Sequence, residues 1–131
     1  MHKPLLLFLD EPTVGLDPAI RRKVWSLIKK INQAGVTIFL TTHYIEEAEN
    51  LADRVAFIHE GKLINSGKPQ EIIANIGEWA VDTFENGSMT SHFFPDRNQA
   101  GAFLADLSGG GALRKVNLED AFLNLTGKRV L

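Results

Sequence analysis

The chain has 131 residues, 44% hydrophobic and 23% charged, enough for one modest core or one core with a small appendage. Its net charge of -2 and the lack of any long Lys/Arg run argue against a broad electrostatic footprint for nucleic acid or anionic membrane. There is no cysteine, so disulfides and thiolate metal sites are excluded, and His2, His43, His59 and His92 form no recognisable metal pair.

In chain order, Met1-His2-Lys3-Pro4 lacks the long apolar stretch and cleavage site of a secretory leader, so none is expected. The apolar run at residues 5–9 is far shorter than the roughly 18 residues that span a bilayer. Being continuous rather than alternating, it predicts a parallel strand covered on both faces, central in its sheet and not an edge. Asp17-Pro18 reads as a helix start, with Asp17 as cap and Pro18 at the first helical position. Ile20, Val24, Leu27, Ile28 and Ile31 follow at helical spacing, and Gly35 suits the stop. The basic residues Arg21, Arg22, Lys29 and Lys30 are most simply a solvated face. Residues 36–42 have strand composition, which completes a βαβ unit ending at His43.

Further on, the pattern predicts a short helix over 44–52, a third strand over 55–59, a hairpin turn at Glu60-Gly61 and a helix opened by Pro69 and ended by Gly77. The texture then shifts to shorter segments, which places a domain boundary between 77 and 78. Strands near 79–84 and 92–94 flank a turn at Asn86-Gly87-Ser88. A helix over 98–107, a glycine-rich loop, a strand near 113–116 and a last helix capped by Asn117 with Asp120 follow.

A parallel βαβ crossover brings both strand ends to one rim of the sheet, so Asp10-Glu11 and His43 should meet there. That carboxyl rim is where open α/β sheets bind ligands. Adjacent acids in extended chain point apart, so one can serve a metal while the other faces a nucleophile.

These residues carry a family resemblance. Leu6-Leu7-Phe8-Leu9-Asp10-Glu11-Pro12-Thr13 followed by Val14-Gly15-Leu16-Asp17-Pro18 resembles the Walker B and D-loop of ABC ATPases, and Thr41-Thr42-His43 resembles their H-loop. Glu47-Ala48, Asp53-Arg54, Gly61-Lys62 and Ser66-Gly67 continue the similarity to about Gly77. The resemblance implies a partial P-loop NTPase α/β fold over 1–77, with flanking helices, and a small α+β accessory module over 78–131. It implies that Asp10 holds Mg²⁺ through water, that Glu11 is the catalytic base for the attacking water, and that His43 bonds and senses the γ-phosphate. Asp17 would help couple two sites across a dimer, beside its capping role, and Gly15 would let that loop turn tightly. ATP and Mg²⁺ are the implied cofactors of the parent protein, with none firmly expected in this chain alone. The implied partners are a membrane-spanning permease subunit and a second ATPase subunit, at the cytoplasmic face of the membrane. The tail 117–127 resembles the closing helix of ABC-2 type exporter ATPases, including multidrug-resistance members, and equally suits a helix that only packs its module closed.

The phosphate-binding loop G-x-x-x-x-G-K-[ST] and the Q-loop are absent, so the sequence is expected to begin past the middle of the family's nucleotide-binding domain. Leu107-Ser108-Gly109-Gly110 spells the family's signature, but it follows Walker B and precedes a strand instead of opening a helix, so it reads as a connection. Without a neighbouring strand, an apolar edge should drive self-association. Alternatives are a non-catalytic interaction module and a soluble ABC-type ATPase of DNA repair or translation; the lack of coiled-coil heptads and the exporter-like tail weigh against the second.

Overall fold

The computed structural model describes residues 5–127, which fold into two compact units parting between Ala52 and Asp53. The first unit is a βαβ crossover with a short following helix: β1 (Leu5–Asp10), α1 (Pro18–Gln33), β2 (Val36–Thr41) and α2 (Ile45–Leu51). Strands β1 and β2 are parallel and in unbroken register from Leu5↔Val36 to Asp10↔Thr41. Helix α1 starts where Asp17 Oδ1 accepts from the Ile20 amide at 2.9 Å, with Pro18 in its first turn. It ends at Gln33, and Gly35 reverses the chain with φ 104°, a value that glycine adopts without strain.

The expectation that β1 is a covered central strand is corrected. Among the described residues β1 pairs with β2 alone, and Leu5, Leu6 and Phe8 are exposed, as is Phe39 on β2. Helix α1 packs against β2 and can shield only one face of a two-stranded ribbon. Leu7, Leu9, Ile38 and Leu40 alternate with Leu6, Phe8 and Phe39 and are half-buried. On the open face Phe8 and Phe39 are register partners with ring centroids 5.5 Å apart. The continuous apolar run therefore reports coverage on both faces that these residues do not supply themselves.

The second unit contains β3 (Val55–His59), β4 (Lys62–Gly67), α3 (Pro69–Ile76), β5 (Trp79–Glu85), β6 (Ser88–Phe94), α4 (Arg97–Ala105), β7 (Ala112–Lys115) and α5 (Leu118–Thr126). Strands β3 and β4 form an antiparallel hairpin, and a second antiparallel sheet has the order β6-β5-β7. Both hairpins close through two residues with positive φ, Glu60-Gly61 at 52° and 75° and Asn86-Gly87 at 52° and 80°, as the twist of paired strands requires. Helix α3 packs on α5, and Phe57 of β3 meets Phe122 of α5 edge-on at 5.3 Å. This packing gathers β3, β4 and α3 with the later elements, so the unit begins ahead of the change of texture at Gly77.

Leu107-Ser108-Gly109-Gly110 lies between α4 and β7, as the reading of a connection requires. Beside it, Gly111 passes so close to β5 that a Cβ there would stand 2.8 Å from the Asp82 carbonyl oxygen. The chain needs glycine at that point because backbone meets backbone.

Arg114 on β7 joins three elements of this unit. It donates to both Asp82 carboxylate oxygens on β5, at 2.7 and 3.1 Å, and to both of Asp120 on α5, at 2.7 and 2.9 Å. Asp120 also closes the capping box with Asn117, each side chain accepting from the other's backbone amide at 2.9 Å. Ser91 on β6 donates to Asp82 at 2.6 Å. Burial pushes the Asp82 carboxyl up, but the hydrogen bonds of Arg114 and Ser91 and the nearby positive charge outweigh it and hold the group below its ordinary 3.8. The Arg114 guanidinium is held above its usual range, first by its bonds to Asp120 and then by those to Asp82.

Removing Arg114 leaves two part-buried carboxylates facing each other's charge. Arg114→Met is expected to cost about 2 kcal/mol in urea unfolding, less than the full loss for a buried pair because the group is partly solvated. A carboxyl with a depressed folded pKa contributes stability above its unfolded value and loses it as pH falls through the folded one. Stability should therefore decline as pH drops below 3.8, and Arg114→Met should show a weaker decline. Equal acid sensitivity in the two proteins would contradict this account.

Candidate functional site

At the carboxyl end of β1 the chain leaves the strand through Glu11, whose φ of 47° is rare for a residue with a Cβ. The Glu11 amide donates to the Thr41 carbonyl at 2.7 Å, so the turn stays tied to β2. This conformation sends the two acids apart. The Thr41 hydroxyl donates to Asp10, on the face that carries Phe8 and Phe39, while the Glu11 carboxylate contacts His43 Nδ1.

His43 reaches Glu11 because β2 ends in a second tight turn. The Thr42 hydroxyl accepts from the Tyr44 amide at 3.0 Å, and α2 begins at the next residue. The rim is open: the His43 side chain is 64% exposed and that of Glu11 37%. The imidazole lies 4.7 Å from the Tyr44 ring, and the Arg21 guanidinium sits over that ring at 4.7 Å.

Of the residues singled out in the sequence, Asp10, Glu11 and His43 are thus brought to one rim. Asp17 stands at the far end of the 12–17 loop, where its side chain caps α1. Gly15 supplies the bend with φ 79°. His2 lies outside the described residues, and among those described no group of three metal-ligating side chains assembles.

Sequence reasoning gave no role to Glu47, which is fully buried on α2. The Thr13 hydroxyl and Trp25 Nε1 both donate to its Oε2, the latter at 2.8 Å. Its signal was positional. Glu47 lies three residues after Tyr44 and four before Leu51, on the half-buried side of α2, where an acid is out of place unless it is bonded.

The donor set suits Mg²⁺ in one respect. The ion keeps most of its waters and takes one or two protein carboxylates beside phosphate oxygens. Asp10 is exposed and offers one such group, next to a hydroxyl.

Residues 1–47, which carry the acid pair, His43 and Glu47, match the family described as "AAA domain, putative AbiEii toxin, Type IV TA system". The Nod factor export ATP-binding protein I of Cupriavidus metallidurans is 39% identical over 152 aligned residues, covering 99% of this chain and 50% of that protein. The daunorubicin/doxorubicin resistance ATP-binding protein DrrA of Streptomyces peucetius is 49% identical over 74 residues, covering 56% of this chain and 22% of that protein. A solved structure described as "Structure of ATP binding subunit of ABC transporter" superposes with a TM-score of 0.54 at 24% identity, over 94% of this chain and 37% of that one. The two relatives named above are ABC ATP-binding proteins. The superposition speaks for the fold alone, a mixed α/β arrangement shared with part of that ATP-binding subunit. The chain spans about half the length of the Nod factor export ATP-binding proteins that it matches along nearly its whole length.

The strained backbone at Glu11 separates site from scaffold. Glu11→Gly should remove the contact with His43 yet leave stability unchanged or raise it by up to ~1 kcal/mol, because glycine relieves the positive φ and an exposed Glu–His pair contributes little. Thermal melts of the two proteins check this; a clear loss would mean that the Glu11 side chain supports the fold.

Proposed function

We infer that this chain is part of the ATP-hydrolysing subunit of an ABC exporter, contributing the metal-side acid, the water-activating base and the histidine that senses the γ-phosphate. The contact of Glu11 with His43 at the rim of a parallel βαβ unit carries this reading, since it puts a carboxylate and an imidazole beside one solvent-open position. The names of the relatives, which speak of Nod factor export and of daunorubicin/doxorubicin resistance, support the exporter class.

In this reading Asp10 holds Mg²⁺ through water, and the ion, when bound, offsets charge on the β and γ phosphates. Glu11 orients and polarises the attacking water. His43, held by Glu11 on its Nδ1 side, presents its other ring nitrogen to the γ-phosphate. Asp17, at the end of the 12–17 loop, both caps α1 and faces a second ATPase subunit. The ATPase-derived portion is residues 1–77, and 78–131 form an accessory module for contact or regulation.

No described helix is long and apolar enough to cross a membrane. Work at the membrane would go through a permease subunit, with the ATPase on the cytoplasmic face. The bare face of Leu6, Phe8 and Phe39 supports self-association when the chain is alone, because contiguous exposed apolar surface favours burial against another copy. No nucleic-acid partner is proposed.

The purified 131-residue chain should show no Mg²⁺-dependent ATP hydrolysis above a Glu11→Gln control. The same substitution in a longer protein that supplies a phosphate-binding loop should lower turnover by roughly 10²–10⁴-fold, the usual contribution of a positioned general base. Robust turnover by the 131-residue chain, or a longer protein indifferent to Glu11→Gln, would sink the assignment. Light scattering should find dimers or larger species of the chain at high concentration; a monodisperse monomer would count against self-association.

A further inference from the structure

Glu47 is a charged-type side chain with no accessible surface, on a helix of seven residues. Burying a carboxyl is costly, and a Leu or Met would fill the volume without that cost. What an apolar residue cannot do is accept hydrogen bonds from two directions. Glu47 Oε2 takes one from the Thr13 hydroxyl and one from the Trp25 indole, while Oε1 is buried with no hydrogen-bond partner. The buried Thr13 follows Glu11 by two residues, and Glu47 follows His43 by four. A side-chain bridge thus spans the two segments that leave the rim, one from each strand.

We propose that Glu47 is a positioning residue that fixes the loop behind Glu11 to the helix behind His43 and so holds the Glu11–His43 pair in register. A second tie runs alongside it. Arg21 of α1 stacks on Tyr44, the residue after His43, and its Nη2 donates to the Leu16 carbonyl at 3.4 Å. The loop over 12–17 is therefore gripped at Thr13 from α2 and at Leu16 from α1. Because Trp25 shares the acceptor with Thr13, α1, α2 and the loop settle or shift together. In terms of the ATPase reading, on which its catalytic meaning rests, Glu47 would act on turnover through Glu11 and leave nucleotide affinity largely alone.

The geometric claim is tested on the 131-residue chain by NMR of the His43 ring nitrogens and the Trp25 indole N–H. Glu11→Gly, which removes the side chain, sets the scale for loss of the Glu11–His43 contact. Glu47→Met, which keeps volume but no acceptor, should move the His43 signals by at least half that amount and shift the Trp25 indole; Glu47→Gln, which keeps an acceptor oxygen, should restore most of both. Thr13→Val removes only the hydroxyl and should move His43 in the same direction, and it decides the matter if Glu47→Met fails to fold by circular dichroism. His43 signals unchanged in folded Glu47→Met, or in Thr13→Val, would overturn the proposal. In a longer protein with a phosphate-binding loop, Glu47→Met should lower kcat about tenfold or more with KM for ATP within about threefold. Loss confined to KM would also overturn the role. An inactive longer protein whose His43 signals still respond would instead count against the ATPase reading.

Discussion

The first unit depends on one constraint, the unbroken parallel register of β1 and β2. Because Asp10 stands opposite Thr41, both strands stop at the same level, and the next residues of each turn toward a common point. A slip of β1 by one residue would turn Phe8 to the α1 side and carry Asp10 away from Thr41. Register is thus the means by which a purely local pattern, an apolar run followed by acids, becomes a rim with an imidazole. The positive φ at Glu11 then turns the chain out of the strand while its amide stays bonded to Thr41, and the two neighbouring carboxylates reach different partners, Asp10 the Thr41 hydroxyl and Glu11 His43.

Much of this was legible in the sequence because it rests on local chemistry. The Asp17 cap, the glycine after α1, the Glu60-Gly61 and Asn86-Gly87 turns and the Asn117–Asp120 capping box are each specified within four consecutive residues. The meeting of Glu11 with His43 was legible through the handedness and direction of a βαβ crossover, a rule needing only element order. The Glu47 bridge was not, since nothing in a linear pattern says that an acid within a helix will find Thr13 and Trp25. The coverage of β1 was misjudged for a related reason: an apolar run states what a strand requires of its surroundings, not which residues meet that requirement.

The second unit solves a different problem. Its helices are short and the larger of its two described sheets has only three strands, so apolar area alone gives a modest core around Ala80, Val81, Ala100, Leu118 and Ala121. Arg114 adds directional bonds where small side chains leave little area to bury, and it ties the cap of α5 to two strands at once. Trp79 on β5 has Arg97 and Lys115 each within 5.5 Å of its ring, a smaller version of the same use of cations as struts.

The unshielded side of β1 and β2 also makes the chain's behaviour a matter of temperature. Attraction between apolar surfaces weakens on cooling, because the hydration of such surfaces carries a large heat capacity. Leu6, Phe8 and Phe39 should therefore tolerate water best in the cold, and warming should favour whatever surface closes over them. A ribbon left half bare acts as a thermal dial on its own assembly.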